Sequence, residues 1–155
     1  MLQVLLRAPV HVYRWGFGFL LGKRFILLSH IGRRSGLRHQ TVLEVVEYRV
    51  AGPEIVVMSG FGRNSDWLRN IEANHEGEIV IGSNCFTAAV RFLGEQEAMA
   101  AFEGYERRNR FMAPIIRWVL SHLLGWKYSG SEEDRRRLVG QLPLLAFTPR
   151  GSRLG

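Results

Sequence analysis

Between residues 25 and 93 the chain is a series of short β-rich runs broken by glycine-bearing turns, and this limits the folds open to it. Phe25 to His30 is apolar and ends at Gly32. Gln40 to Val50 alternates, with Val42, Glu44, Val46 and Tyr48 on one face and Thr41, Leu43, Val45 and Glu47 on the other. Ala51-Gly52-Pro53 turns the chain into a run from Glu54 to Ser59. Two further strands, Glu78 to Ile81 and Phe86 to Leu93, meet at Gly82-Ser83-Asn84, a tight hairpin. Consecutive hairpins predict an antiparallel sheet or small barrel rather than βαβ units.

Helical patterns flank these strands. Asp66 to Ala73 predicts a short helix capped by Asn64 or Ser65. Glu95 to Arg110 predicts a longer one, and Pro114, a good first helical residue, opens another that runs to Leu124. Ser131 to Asp134 can cap a last short helix, and Leu144 to Phe147 reads as a closing strand. The fold class is therefore α+β, mainly β. Its domain organisation is an amphipathic N-terminal helix over residues 1–24 and a single β domain over residues 25–155.

Composition bounds the chemistry. At 155 residues the chain buries a full core without staples, and its single cysteine, Cys85, excludes a disulfide framework and a Cys-rich zinc module. Cys85 opens a strand and reads as inert packing. The net charge is +7. Residues 1–38 hold Arg7, Arg14, Lys23, Arg24, Arg33, Arg34 and Arg38 and no acid, while the other 117 carry equal numbers of each sign. Such asymmetry implies an anionic partner: a polyanionic ligand, a membrane surface or nucleic acid. Against nucleic acid, the bases are interleaved with apolar residues rather than gathered on a polar stripe. The apolar run Trp15 to Gly22 falls far short of the roughly 20 residues of a spanning helix. Arg7 and Arg14 also break any signal-peptide core. An amphipathic helix here lies in a membrane interface or packs on its own domain. The expected location is cytoplasmic, at most peripheral at the inner face of the cell membrane.

Two motifs can carry chemistry. In Gly32-Arg33-Arg34-Ser35-Gly36, glycines allow a sharp turn with successive N–H groups while guanidiniums and a hydroxyl surround one space. That is what a phosphate needs, and it is equally a solvated basic turn. It matches neither G-x-x-x-x-G-K-[ST] nor G-x-G-x-x-G. Ser59-Gly60-Phe61-Gly62-Arg63-Asn64-Ser65-Asp66-Trp67 is a glycine-rich strand-to-helix junction, again suited to anions or a polar ring edge. Taken alone, Trp67 reads as core and Asn70 as a surface amide or cap. The runs Arg107-Arg108-Asn109-Arg110 and Arg135-Arg136-Arg137 read as solvated helix faces. His30 and His39 straddle the basic turn without further ligands, so no metal site is expected. With no obvious nucleophile either, any catalysis would fall to a cofactor.

The stretch Ile31-Gly32-Arg33-Arg34-Ser35-Gly36 through Arg38-His39-Gln40-Thr41-Val42-Leu43, followed by Val56-Val57-Met58-Ser59-Gly60 and Asp66-Trp67-Leu68-Arg69-Asn70, resembles the deazaflavin-dependent nitroreductase family of F420-dependent oxidoreductases. The resemblance implies an FMN-binding-like split β-barrel with peripheral helices. It implies coenzyme F420 as cofactor, with FMN the alternative, and hydride transfer to a small hydrophobic acceptor such as a quinone, activated alkene or nitro compound. Arg33, Arg34, Ser35 and Gly36 would hold the phosphate and glutamate tail of F420. His39, Gln40 and Thr41 would line the groove, Ser59 and Gly60 would approach the ring, and Trp67 and Asn70 would flank it. Asp66, where the family often has proline, adds a negative group there. Catalytic candidates are Ser59 and Tyr105; Tyr105 and Tyr128 read equally as core or helix-surface residues. A non-catalytic module binding anionic lipid is the reading from a different class.

Overall fold

The structure, a computed structural model, describes residues 25–49, 53–60, 62–82 and 84–150. The expected N-terminal helix of residues 1–24 lies outside them. Six strands are present: β1 Phe25–Ile31, β2 Arg38–Arg49, β3 Glu54–Met58, β4 Glu76–Ile81, β5 Asn84–Phe92 and β6 Leu144–Pro149. The helices are α1 Asp66–Asn74, α2 Glu95–Arg108, α3 Ala113–Leu124 and α4 Glu132–Gln141. Every strand pair is antiparallel, and the order β1-β2-β3-β6-β5-β4 closes into a barrel. The split β-barrel expected from the sequence is what forms.

Two apolar clusters explain the closure. One joins residues from all six strands, including Ile26, Leu43, Ile55, Ile79, Ala88 and Phe147, which only a lumen permits. Trp67, Leu68 and Ile71 of α1 belong to it and plug one end. The other takes strand residues from β2, β3 and β6 alone (Val46, Val56, Leu144, Ala146), so it is the outer wall under α2, α3 and α4. β3 shows the period-2 rule directly: Ile55 and Val57 face the lumen and Val56 the helices. Each such buried side chain contributes about 1.5–3 kcal/mol.

β2 departs from simple alternation. Val45 pairs with Val57 and Glu47 with Val56, so a bulge at Val46 shifts the pattern. Beyond it Arg49 contacts Glu47, Glu54 and Glu97, and Arg91 contacts Glu54 and Glu97, tying β2, β3 and β5 to α2. The Arg91 and Arg49 guanidiniums hold the Glu97 carboxyl down to about 2. Three other expectations are corrected. Ser65 occupies the N-cap of α1 but turns its hydroxyl to Gly62 and Ser59 instead of capping. Cys85 is exposed rather than packed. Arg135 is largely buried in a pair with Glu106 (2.8 Å), because Glu106 also accepts from the buried Tyr128 hydroxyl.

Candidate active site

The basic turn is built by its glycines. Gly32 N–H donates to the Leu37 carbonyl (2.8 Å) and Gly36 N–H to that of Gly32 (2.9 Å). Gly36 sits at φ +69°, a conformation an L side chain resists. The Ser35 hydroxyl accepts from Leu37 N–H. Arg34 faces solvent. Arg38 reaches Ser29 Oγ and Glu78, and Gln40 also reaches Ser29 Oγ.

Arg33 and Asn70 join the two motifs. Asn70 Oδ1 accepts from the Arg33 backbone N–H (3.0 Å) and from its guanidinium (2.9 Å). Asn70 is 4% exposed, so it is a buried bridge rather than a surface amide. With its oxygen committed to two donors, its NH2 faces His30 Nδ1 at 2.9 Å. Nδ1 must therefore accept, and the neutral ring carries its proton on Nε2. His39 stacks on His30 with centroids 5.7 Å apart. Burial, helped by His39, lowers His30 to about 4 from an ordinary 6.5. The nearby Asp66 opposes this shift; its exposed pair with Arg33 (3.4 Å) contributes little.

A linkage prediction follows from His30. The unfolded chain binds the imidazole proton more tightly than the folded one, so the stabilisation is complete above pH 6.5 and is lost as pH falls toward 4. Urea midpoints should drop across that window, and the drop should be smaller in His30→Gln; identical slopes would contradict it.

Residues of β2, α1, α2 and α3 line a cleft of about 380 Å3. Phe25, Thr41, Val42 and Glu44, then Met58, Gly60 and Trp67, and Phe102 and Tyr105 of α2 line it. Ile115, Ile116, Val119 and Leu123 of α3 line it as well. A Cβ on Gly60 would lie 3.6 Å from Leu123 Cδ1, an ordinary van der Waals contact, so Gly60 and α3 face each other across the cleft. The lining is mostly apolar. Its principal polar pair is the Tyr105 hydroxyl donating to Glu44 Oε1 at 2.7 Å.

Among the sequence-derived candidates, Thr41, Gly60, Trp67 and Tyr105 line the cleft. Arg33, Arg34, Ser35, Gly36, His39 and Asn70 gather at the turn, which β2 and α1 connect to the cleft. Ser59 does not reach it: the residue is fully buried, and Oγ donates to the Gly62 carbonyl (2.7 Å) and meets Ser65 Oγ. Tyr128 is buried against Glu106 instead. Sequence reasoning missed Glu44 and the α3 wall, although Ile116, Val119, Leu120 and Leu123 recur at the three- and four-residue steps of an apolar helix face. Among the described residues no group of three or more His, Cys, Asp or Glu is placed to hold a metal ion.

The arrangement suits a flat, mostly apolar ring carrying an anionic chain: the ring against Trp67 and Gly60, the chain over a turn that carries the guanidiniums of Arg33 and Arg34. A model of the F420H(2)-dependent quinone reductase family matches residues 6–110. No curated protein matches the chain. A protein of unknown function from Agrobacterium tumefaciens is similar in structure (TM-score 0.56, 13% identity), over 94% of this chain and 56% of that one, so the chain spans little more than half its length. A pyridoxamine 5′-phosphate oxidase-related, FMN-binding protein from Nostoc punctiforme has TM-score 0.55 and 15% identity, over 92% of this chain and 78% of that one. A conserved hypothetical protein from Mycobacterium tuberculosis has TM-score 0.51 and 15% identity, over 86% and 77%. At these identities the likeness is one of fold.

Proposed function

The chain belongs to the F420H(2)-dependent quinone reductase family, and from that premise we propose that this F420-dependent oxidoreductase reduces a small, apolar, electron-poor acceptor. A quinone comes first, with activated alkenes and nitro compounds as further candidates. The observation that carries the reading is that two elements run from the cationic turn to the apolar cleft: Arg33 is bonded to Asn70 of α1, whose Trp67 lines the cleft, and β2 leads from Arg38 to Thr41, which lines it too.

Reduced F420 supplies the hydride when bound; the chain's own residues bind, orient and exclude water. Arg34, whose side chain faces solvent at the turn, receives the anionic tail, and Arg33 shares that charge while clamping the turn to α1. His39, Gln40 and Thr41 continue along β2 toward the cleft. Trp67 offers a flat apolar wall, and Gly60 leaves room for a ring edge. α3 shields the cleft, which strengthens every electrostatic contact inside. Reduction of a quinone also consumes a proton. The Tyr105 oxygen holds one at the cleft wall, and Glu44 keeps that hydroxyl oriented. The buried Ser59 is left with a loop-bracing role.

Tyr105→Phe should lower turnover about tenfold and flatten its pH profile while F420 affinity is unchanged, since solvent replaces the donor only in part. Parental turnover in that variant would remove Tyr105 from the proton path. The reading as a whole is tested by titrating the protein with F420 and, separately, FMN, following cofactor fluorescence. Selective F420 binding supports it. Selective FMN binding would turn it into an FMN-dependent reductase on the same barrel, and binding of neither would overturn it.

A further inference from the structure

The outer side of α3 carries an apolar row that the cleft does not use. Ile115, Trp118 and His122 follow at steps of three and four, the spacing that stacks side chains along one helix face, and Phe111 stands in the 3-10 turn Arg110–Met112 that leads into α3. Phe111 is 76% exposed, and Ile115 and Trp118 are 59% exposed. Exposed apolar residues scattered singly are ordinary on a soluble protein, but a contiguous row marks a surface with a partner. Ile115 also lines the cleft, so the row and the cleft wall form one continuous apolar surface.

The charges beside it point to that partner. From Arg107 to Ser131 the chain holds Arg107, Arg108, Arg110, Arg117 and Lys127 and no Asp or Glu. Arg107 lies within 3.6 Å of Glu103 and Arg108 donates to the Val46 carbonyl, so these two serve the protein itself. Arg110, Arg117 and Lys127 are exposed around α3. Aromatic and aliphatic tips projecting beside cations are the pattern of a helix resting in the interface of an anionic bilayer, where each nearby cation adds about 1 kcal/mol. No helix among the described residues is long and apolar enough to cross a membrane, so contact here would be peripheral.

We propose that the face carrying Phe111, Trp118, Arg110 and Arg117 docks the protein on an anionic phospholipid surface, with the cleft opening at Ile115 turned toward the lipid. An apolar acceptor dissolved in the bilayer then reaches the cleft without crossing water. That route rests on the reductase reading above; the docking does not.

The test uses the full chain and vesicles of phosphatidylcholine, with and without phosphatidylglycerol, followed by co-sedimentation. The parent should bind the anionic vesicles and leave the neutral ones. Phe111→Ser/Trp118→Ser and, separately, Arg110→Glu/Arg117→Glu should each bind at least about tenfold more weakly. Both variants should keep the parent's thermal midpoint and its F420H2 oxidation with a water-soluble quinone. No anionic-vesicle binding by the parent, or equal binding by parent and variants, would overturn the proposal. So would a parent dimer that the variants abolish, which would make the face a self-interface. F420 titration without vesicles separates the two readings: F420 affinity without lipid binding removes the docking alone, and lipid binding without F420 affinity removes the reductase alone.

Discussion

The Arg33→Ala/Arg34→Ala double variant will bind F420 about 100-fold more weakly than the parent, and its affinity will respond less to salt. Each charge-assisted contact to a phosphate or carboxylate contributes about 1.5 kcal/mol or more, and two of them amount to about two orders of magnitude. The single variants part the two roles. Arg34 faces solvent, so Arg34→Ala should cost affinity and leave stability alone. Arg33 also donates twice to Asn70, so Arg33→Ala should cost both. Calorimetric titration at two salt concentrations, beside urea denaturation, distinguishes these outcomes. Unchanged affinity in the double variant would remove the turn from the tail site.

Asn70→Leu will destabilise the fold by about 3 kcal/mol, because it strands buried groups rather than merely deleting a contact. The Arg33 backbone N–H and guanidinium lose their acceptor, and His30 Nδ1 loses its donor. Since these bonds also hold the turn against α1, F420 affinity should fall with stability. Asn70→Asp is the informative partner variant. It keeps the acceptor for Arg33 but places a carboxylate against His30, so the imidazole should titrate well above its parental value of about 4. NMR of the histidine ring protons reads that change. A loss under about 1 kcal/mol in Asn70→Leu would show that the turn is held by something else.

The strands were legible because each signals itself within a few residues, by alternation and by glycines at the turns. β1, β3 and the helix from Pro114 lie within a residue or two of their expected bounds. The bulge at Val46 was not legible, since it answers to Val56 and Val57 across the sheet. Asn70 looked like a surface amide because its partners, Arg33 and His30, are 37 and 40 positions away. The resemblance placed it beside the cofactor, but its bridging role needed the fold. Glu44 and Tyr105 are 61 positions apart, and neither signals the other locally. The basic, acid-free span 107–131 vanished for an arithmetical reason: charges summed over the last 117 residues cancel, and the sum hides their segregation.

The place of β6 has a consequence for how the protein is made. Residues 144–149 lie between β3 and β5, two strands synthesised long before them. Until those residues leave the ribosome, β3 and β5 each present an unpaired edge, and Leu144 and Phe147 are missing from the outer and inner cores. A nascent chain stalled just short of that point therefore carries most of its sheet yet cannot close it. Such intermediates are substrates for chaperones and proteases rather than marginally active protein. Completion of synthesis, folding and acquisition of a working cleft should accordingly coincide, so that truncated chains are cleared instead of competing for cofactor.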